Sequence, residues 1–221
     1  MIGFFLVLFV MLWQPNQIQS KRVSGKCVLG CVEIDNREPY VVTRDDVLWL
    51  TKVVYRESGP RFRREEASAT MWTLVQGWTR DRMRRGWRGY SLARYVQRYS
   101  AACSEKWATG GTHYNPRITP RADRCRSMRW AEIPRVWFSL SNDFFHGRVL
   151  NKWPGAVHIL ARGFERFSDR TLIGPEYATD VEDHPGGNAY YRTLDTMEWG
   201  TESVRVVPAN IDLRALRGEL Q

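Results

Sequence analysis

The fold is decided by the stretch Thr43-Arg-Asp-Asp-Val-Leu-Trp-Leu-Thr-Lys-Val-Val-Tyr-Arg-Glu-Ser-Gly-Pro60, which predicts one amphipathic helix and its end. Thr43 can cap the helix, and the two aspartates close behind it suit the positive end of the helix dipole. Apolar side chains recur on one face at helical spacing, at Val47, Leu50 and Val54. The final Gly-Pro pair stops the helix.

Glu57 occupies the last turn of this predicted helix. Unpaired carbonyl groups at a helix end disfavour a negative charge and raise the pKa of a nearby carboxyl group. A carboxyl group that keeps its proton near neutral pH can act as a general acid. The alternative is a solvated residue at the helix end, paired with Arg56, Arg61 or Arg63.

The composition is that of a folded, basic protein. With 221 residues, 43% hydrophobic and 26% charged, the chain can bury a core and is unlike a disordered segment. Its net charge of +9 predicts attraction to a polyanion, which could be nucleic acid, an anionic membrane or an anionic cell-wall polymer.

Three further helices are predicted, at about 64–85, from Ser91 onward, and at about 133–147. The glycine-, proline- and arginine-rich residues 109–129 lack periodicity and are predicted to form a long ordered loop. Short strands are predicted at 156–159, 189–192 and 203–207. The predicted fold class is therefore mainly α (α+β), with a helical domain and a loop-rich C-terminal part that carries a few short strands.

The N-terminus is continuously apolar over residues 1–13. That run is shorter than the ~20 residues of a membrane span and closer to the core of a signal peptide. We predict that residues 1–20 are a signal peptide or an uncleaved signal-anchor, and both alternatives remain open. The protein is then exported or membrane-anchored, and residues 1–13 are the membrane tether in the second case.

Four cysteines lie beyond this segment, at Cys27, Cys31, Cys103 and Cys125. An even number behind an export signal favours disulfides in an oxidising compartment. We predict the pairs Cys27–Cys31 and Cys103–Cys125, since the second pair would staple a polar, glycine-rich loop. A zinc site is the rival interpretation, but the spacing lacks the usual CxxC or HxxxH pairs. Nucleotide-binding and metalloprotease motifs are also missing from the sequence, so no metal and no cofactor are expected.

The order of motifs resembles the lysozyme-like superfamily. A helix ends in Glu57-Ser58-Gly59, a short basic loop follows, and the next helix contains the run Ala67-Ser-Ala-Thr-Met-Trp-Thr-Leu-Val-Gln76. The Glu-Ser pair and the Leu-Val-Gln run are similar to soluble lytic transglycosylases. The segment Tyr90-Ser-Leu-Ala-Arg-Tyr, Trp107, and the late runs Pro154-Gly-Ala-Val-His158 and Gly186-Gly-Asn-Ala-Tyr-Tyr191 resemble cell wall hydrolases of the spore-cortex-lytic (SleB) type.

The resemblance implies a lysozyme-like catalytic domain over residues 43–192, with 21–42 as a linker that carries Cys27 and Cys31 and 193–221 as a C-terminal extension. It implies that Glu57 is the catalytic acid. The substrate-binding positions that it implies are Gln76, Tyr90, Trp107, His158, Asn188 and Tyr190. His158 and Tyr190 also have ordinary structural interpretations, as a packed histidine and a strand residue.

The implied substrate is peptidoglycan, and the basic charge favours the anionic bacterial envelope. Glycoside cleavage usually needs a second carboxylate beside the acid. Spacing does not select it among Asp81, Asp180, Glu182 and Asp183. A lytic transglycosylase would need Glu57 alone, because a group of the substrate itself attacks, and we leave the choice between hydrolase and transglycosylase open.

Two non-enzymatic alternatives remain at this stage. One is a virion or nucleic-acid-binding structural protein that uses its arginines and aromatic rings for phosphate contact and base stacking. The arginines are spread along the chain rather than concentrated in one stripe, so no specific nucleic acid is expected. The other alternative is a degenerate lysozyme-like domain that binds the wall without cleaving it.

Overall fold

The computed structural model describes residues 27–34, 37–86, 88–161, 177–180, 188–214 and 216. In these ranges the chain is mainly α with two small sheets, which confirms the predicted fold class. The elements in chain order are β1 (Cys31–Ile34), β2 (Tyr40–Val41), α1 (Arg44–Glu57), α2 (Arg64–Arg84), α3 (Leu92–Tyr99), α4 (Thr119–Ser127), α5 (Arg135–Phe145), β3 (Ala156–Ala161), β4 (Tyr177–Asp180), β5 (Asn188–Thr193) and β6 (Val204–Val207).

The predicted signal segment, residues 1–20, and the tether within it lie outside the described residues. Among the helices of the described ranges, none combines the length and the hydrophobicity that a membrane span requires.

Helix α1 has the boundaries that its sequence predicts. The Thr43 hydroxyl accepts a hydrogen bond from the Asp46 amide at 3.3 Å, and the Asp46 carboxylate accepts one from the Thr43 amide at 2.9 Å, which forms a capping box. At the other end the Ser58 amide still donates to the Val54 carbonyl. Gly59 then has a φ of +79°, a left-handed conformation that glycine adopts without strain.

Helix α1 is also central to the packing. It contacts the four other helices, and its Leu50 and Val54 are fully buried. The surrounding core is rich in aromatic side chains that are at most 1% exposed, namely Trp78, Trp137, Phe138, Phe144 and Phe145. Burial of such rings stabilises the fold strongly, and their edge-to-face contacts fix how the helices approach each other.

The first sheet has the strand order β2-β1-β6 and is antiparallel, with Val32 opposite Tyr40 on one side and opposite Val206 on the other. Its side chains Val32, Ile34 and Val204 belong to the same hydrophobic cluster as the helices. The core therefore extends beyond residues 43–192 on both sides. Strands β1 and β2 come from the predicted linker, and β6 comes from the predicted C-terminal extension.

The second sheet has the order β3-β5-β4, and β3 packs on helix α2. Gly77 makes this close approach feasible. A side chain at that position would lie 2.9 Å from the Val157 carbonyl oxygen and 2.7 Å from the Tyr95 hydroxyl. The strands predicted at 156–159, 189–192 and 203–207 correspond to β3, β5 and β6.

The prediction of a long loop at 109–129 is wrong for its second half, which contains helix α4 at Thr119–Ser127. Pro120 lies in the first turn, where a missing amide proton does no harm. The buried residues of this helix are Thr119, Ala122 and Cys125, so its inward face carries no large apolar side chain. A search for helical spacing of large apolar residues therefore could not detect it.

The disulfides are Cys27–Cys31 and Cys103–Cys125, the pairing that the sequence predicts. All four cysteines are at most 1% exposed. The second disulfide anchors α4 to the segment that follows α3, and this segment reaches the candidate site.

Asp46 is a buried carboxylate that ties three elements together. It is 0% exposed and accepts hydrogen bonds from the Tyr40 hydroxyl (2.8 Å), from the amide and hydroxyl of Thr43, and from the Ala93 amide (2.7 Å) at the start of α3. A buried charge is tolerated when donors surround it in this way.

We expect Asp46→Asn to lower the free energy of unfolding by about 2 kcal/mol, because the amide turns a donor toward groups that are themselves donors. Urea denaturation measures the loss. The matched control is Asp45→Asn, which removes the same charge from the same helical turn at an exposed position. Equal losses in the two variants would contradict the role assigned to Asp46.

Candidate functional site

Glu57, the last residue of α1, is the centre of the candidate site. Its Oε1 accepts a hydrogen bond from the Ser100 hydroxyl at 2.5 Å and one from the Ala102 amide at 3.4 Å. Both donors belong to the turn that follows α3, immediately before Cys103. The end of α1 and the end of α3 therefore meet at this carboxyl group.

The pKa of Glu57 is raised above the ordinary glutamate value of 4.5. Burial of the carboxyl group is the largest cause, and the hydrogen bonds from Ser100 and Ala102 and the positive charges of Arg121 and Arg56 oppose it. The sequence predicted the direction of the shift but attributed it to the helix end. The alternative prediction of an ion pair with Arg56, Arg61 or Arg63 does not match, since Glu57 forms no ion pair with these described residues.

The two Glu57 oxygens have different surroundings. Oε1 accepts both hydrogen bonds, while Oε2 has no hydrogen-bonding partner among the residues that the structure describes. A proton on this carboxyl group therefore resides on Oε2, which makes no competing hydrogen bond to a described residue. Such an arrangement can deliver one proton to a bound molecule.

Asn188 is the predicted site residue that the fold brings next to Glu57. Its side-chain amide donates to the Glu57 backbone carbonyl and to the Glu66 carboxylate, each at 3.3 Å. Asn188 begins strand β5 and Glu66 lies in the first turn of α2. The amide therefore holds the second sheet against the end of α1.

Tyr190 also connects strand β5 to helix α2. It is 0% exposed, its hydroxyl donates to the Glu66 carbonyl at 3.1 Å, and it shares a second hydrogen bond with the Thr70 hydroxyl. Burial raises the pKa of Tyr190 to about 12, so the phenol stays neutral. A ligand cannot reach a side chain buried to this extent, and the predicted substrate contact is corrected to a structural role.

Gln76 also has a structural role instead of the predicted contact with substrate. It is 1% exposed. Its amide nitrogen donates to the carbonyls of Trp153 and Ala156, each at 3.0 Å, and its oxygen accepts from Asn151 and from the Gly155 amide. All four hydrogen-bonding positions are thus in use. Gln76 fixes the 151–156 turn onto α2.

The other predicted positions lie on separate elements. Tyr90 precedes α3, its carbonyl accepts from the Trp78 indole, and Arg98 lies over its ring. Trp107 lies between Cys103 and Cys125 and packs edge-on against His113. His158 is half-buried on β3 and lies opposite Tyr191 of β5. Glu57 makes no hydrogen bond to Tyr90, Trp107 or His158.

The sequence did not identify Glu66, which is 5% exposed although its neighbour Glu65 is exposed. Both residues looked like ordinary acids at the start of a helix. The helical spacing could have identified it. Glu66 lies one turn before Thr70, on the same buried side of α2 as Thr73 and Gly77. Ser100 and Ala102 gave no signal, because their role depends on how α1 meets α3.

The earlier candidates for a second carboxylate lie elsewhere. Asp81 forms an ion pair with Arg85 at 3.0 Å on the far part of α2. Asp180 belongs to β4, and Glu182 and Asp183 lie outside the described residues. In the described ranges, no group of three or more His, Cys, Asp or Glu side chains is arranged to hold a metal ion.

Fold and site together define a mainly α protein with a half-buried carboxyl group of raised pKa, Glu57, at the junction of two helix ends. Comparisons of the chain with protein-family models, with curated proteins and with solved structures find no match. The site geometry therefore carries the functional argument.

Proposed function

We propose that this protein cleaves the glycan strands of peptidoglycan, as a glycosidase or a lytic transglycosylase, with Glu57 as the general acid. The observation that carries the proposal is the Glu57 carboxyl group, whose pKa is raised by burial and whose Oε2 has no hydrogen-bond partner among the described residues. The leaving oxygen of a glycosidic bond needs a proton, and an acid that keeps its proton near neutral pH can supply it.

The proton moves from Oε2 of Glu57 to the glycosidic oxygen as the bond to the anomeric carbon breaks. The carboxylate that remains is stabilised by the hydrogen bonds from Ser100 and Ala102 and by the positive charges of Arg121 and Arg56. The same groups oppose the effect of burial on the pKa, so they keep the acid strong enough to give its proton away.

Glu66 is the second carboxylate that hydrogen bonds connect to Glu57, through Asn188. It is buried, so its part in the proposal is to hold Asn188 rather than to attack a sugar. This favours the route in which the N-acetyl or 6-hydroxyl group of the substrate attacks the anomeric carbon and Glu57 acts alone. The two disulfides support an exported protein, since they indicate an oxidising compartment such as the one that contains the wall.

Wall lysis tests the proposal. We expect the oxidised full-length protein to lower the turbidity of purified cell walls. The rate of wall lysis should decrease as pH rises through the pKa of Glu57, because the acid must be protonated to act. Burial raises this pKa above the ordinary glutamate value of 4.5. Mass spectrometry of the released sugars separates a reducing end from an anhydro product. Binding to walls without any release of sugar would overturn the proposal and support a wall-binding domain.

A further inference from the structure

Three arginines lie around the end of α1. Arg56 precedes Glu57, and Arg121 and Arg124 are one turn apart on α4, which packs against α1. Burial is the largest cause that lowers the pKa of Arg56, and the charges of Arg124 and Arg121 lower it further. Arg121 also acts on Glu57. The disulfide from Cys125 of α4 to Cys103 brings α4 next to the turn whose Ala102 amide donates to Glu57, and Arg121 lies one helical turn before Cys125. The arginines therefore lie close to the candidate acid.

Their charges are not compensated within the part of the chain that the structure describes. Arg56, Arg121 and Arg124 form no ion pair with a described residue, whereas Arg126 on the same helix pairs with Glu105 at 3.2 Å. The Nε of Arg56 is buried and has no hydrogen-bond partner among the described residues. Glu57 does not balance the charge while it holds its proton.

Such an arrangement is unfavourable by itself, because like charges repel and a buried donor goes unused. An anion would relieve both effects, and the planar fork of arginine suits carboxylate and phosphate oxygens. Solvent reaches these arginines, since Arg121 and Arg124 are exposed and Arg56 is half-buried.

We propose that Arg56, Arg121 and Arg124 form an anion-binding subsite that holds a carboxylate or phosphate group of the glycan next to the bond that Glu57 protonates. This inference rests on the proposed function and narrows its substrate class to glycans that carry an acidic substituent close to the cleaved bond. Neutral glycans such as N-acetylglucosamine oligomers are then poor substrates.

The test compares substrates and variants. Cleavage is measured on soluble peptidoglycan fragments, on the same fragments after amidation of their carboxylates, on fragments after removal of phosphate polymers, and on neutral N-acetylglucosamine oligomers. We expect Arg121→Gln with Arg124→Gln to lower kcat/KM on the acidic fragments relative to the neutral oligomers by about 10-fold or more, mostly through KM. Loss after amidation identifies a carboxylate, and loss after phosphate removal identifies a phosphate.

The matched control is Arg88→Gln with Arg135→Gln, which removes two exposed arginines from other elements. An equal decrease in this control would overturn the subsite, because it would indicate attraction to the net charge alone. Equal wild-type rates on acidic and neutral glycans would overturn it as well.

Calorimetric binding of the acidic fragments separates the two proposals. If the wild type cleaves nothing but binds these fragments through Arg121 and Arg124, the proposed function fails and the subsite stands. If the wild type cleaves glycans and the arginine variant binds the fragments as tightly as the wild type does, the subsite fails alone.

Discussion

Glu57→Gln is expected to slow wall lysis about 10³-fold, the typical contribution of a positioned general acid. Glutamine has the same size, and its oxygen can accept the hydrogen bonds from Ser100 and Ala102. Its amide nitrogen takes the place of Oε2 but cannot transfer a proton to a leaving oxygen. The effect should therefore appear in kcat, while binding to the wall is unchanged.

The control for this variant is Glu65→Gln, an exposed glutamate that pairs with Lys152 at 2.9 Å on the surface of α2. It makes the same chemical change at an exposed position of the surface and should lyse walls at the wild-type rate. Unchanged lysis by Glu57→Gln would remove the catalytic assignment. A loss of equal size in both variants would point to a general effect of replacing a glutamate instead of the loss of an acid.

The free energy of unfolding of Glu57→Gln, measured as a function of pH, tests independently whether this variant is folded. The pKa of Glu57 is raised in the folded protein. The protonated carboxyl group therefore contributes to the stability of the folded wild type at low pH, and this contribution is lost as pH rises through the folded-state pKa. Glutamine does not titrate. We therefore expect the stability of Glu57→Gln, relative to the wild type, to be greater at pH 8 than at pH 4.

The parts of the fold that local signals govern could be predicted from the sequence. Helix α1 begins at a capping threonine and ends at a glycine, and both devices act within a few residues. The cysteine pairs are likewise close in sequence, and the strands near 156, 190 and 205 follow short apolar and aromatic runs that begin after glycine or proline. Glu57 was recognised because its position depends on the end of its own helix.

The rest depends on contacts between distant segments. Strand β1 pairs with β6 across more than 170 positions, as the pairing of Cys31 with Val207 shows, and nothing local to either strand indicates the partner. Ser100 and Asn188 reach Glu57 only because α3 and β5 pack against α1 and α2. Gln76 was misassigned for the same reason, since a conspicuous amide on a helix can equally serve a buried turn.

Removing the Cys103–Cys125 disulfide should damage both stability and the site. Replacement of both cysteines by serine is expected to lower the free energy of unfolding by about 3 kcal/mol, since the disulfide closes a loop of 22 residues. Wall lysis should fall as well. Ser100 and Ala102 lie just before Cys103, and the arginines of the proposed subsite lie on α4, which Cys125 anchors.

The Cys27–Cys31 disulfide provides the control, because its sequence separation is only 4 and its loss should cost about 2 kcal/mol. It lies in the first sheet, away from Glu57, so serine at both positions should leave the lytic rate of the folded fraction unchanged. Urea denaturation measures both losses. Alkylation of the unreduced wild type should label no cysteine, whereas a free thiol at Cys103 or Cys125 would contradict the pairing and with it the anchoring of α4 beside the acid.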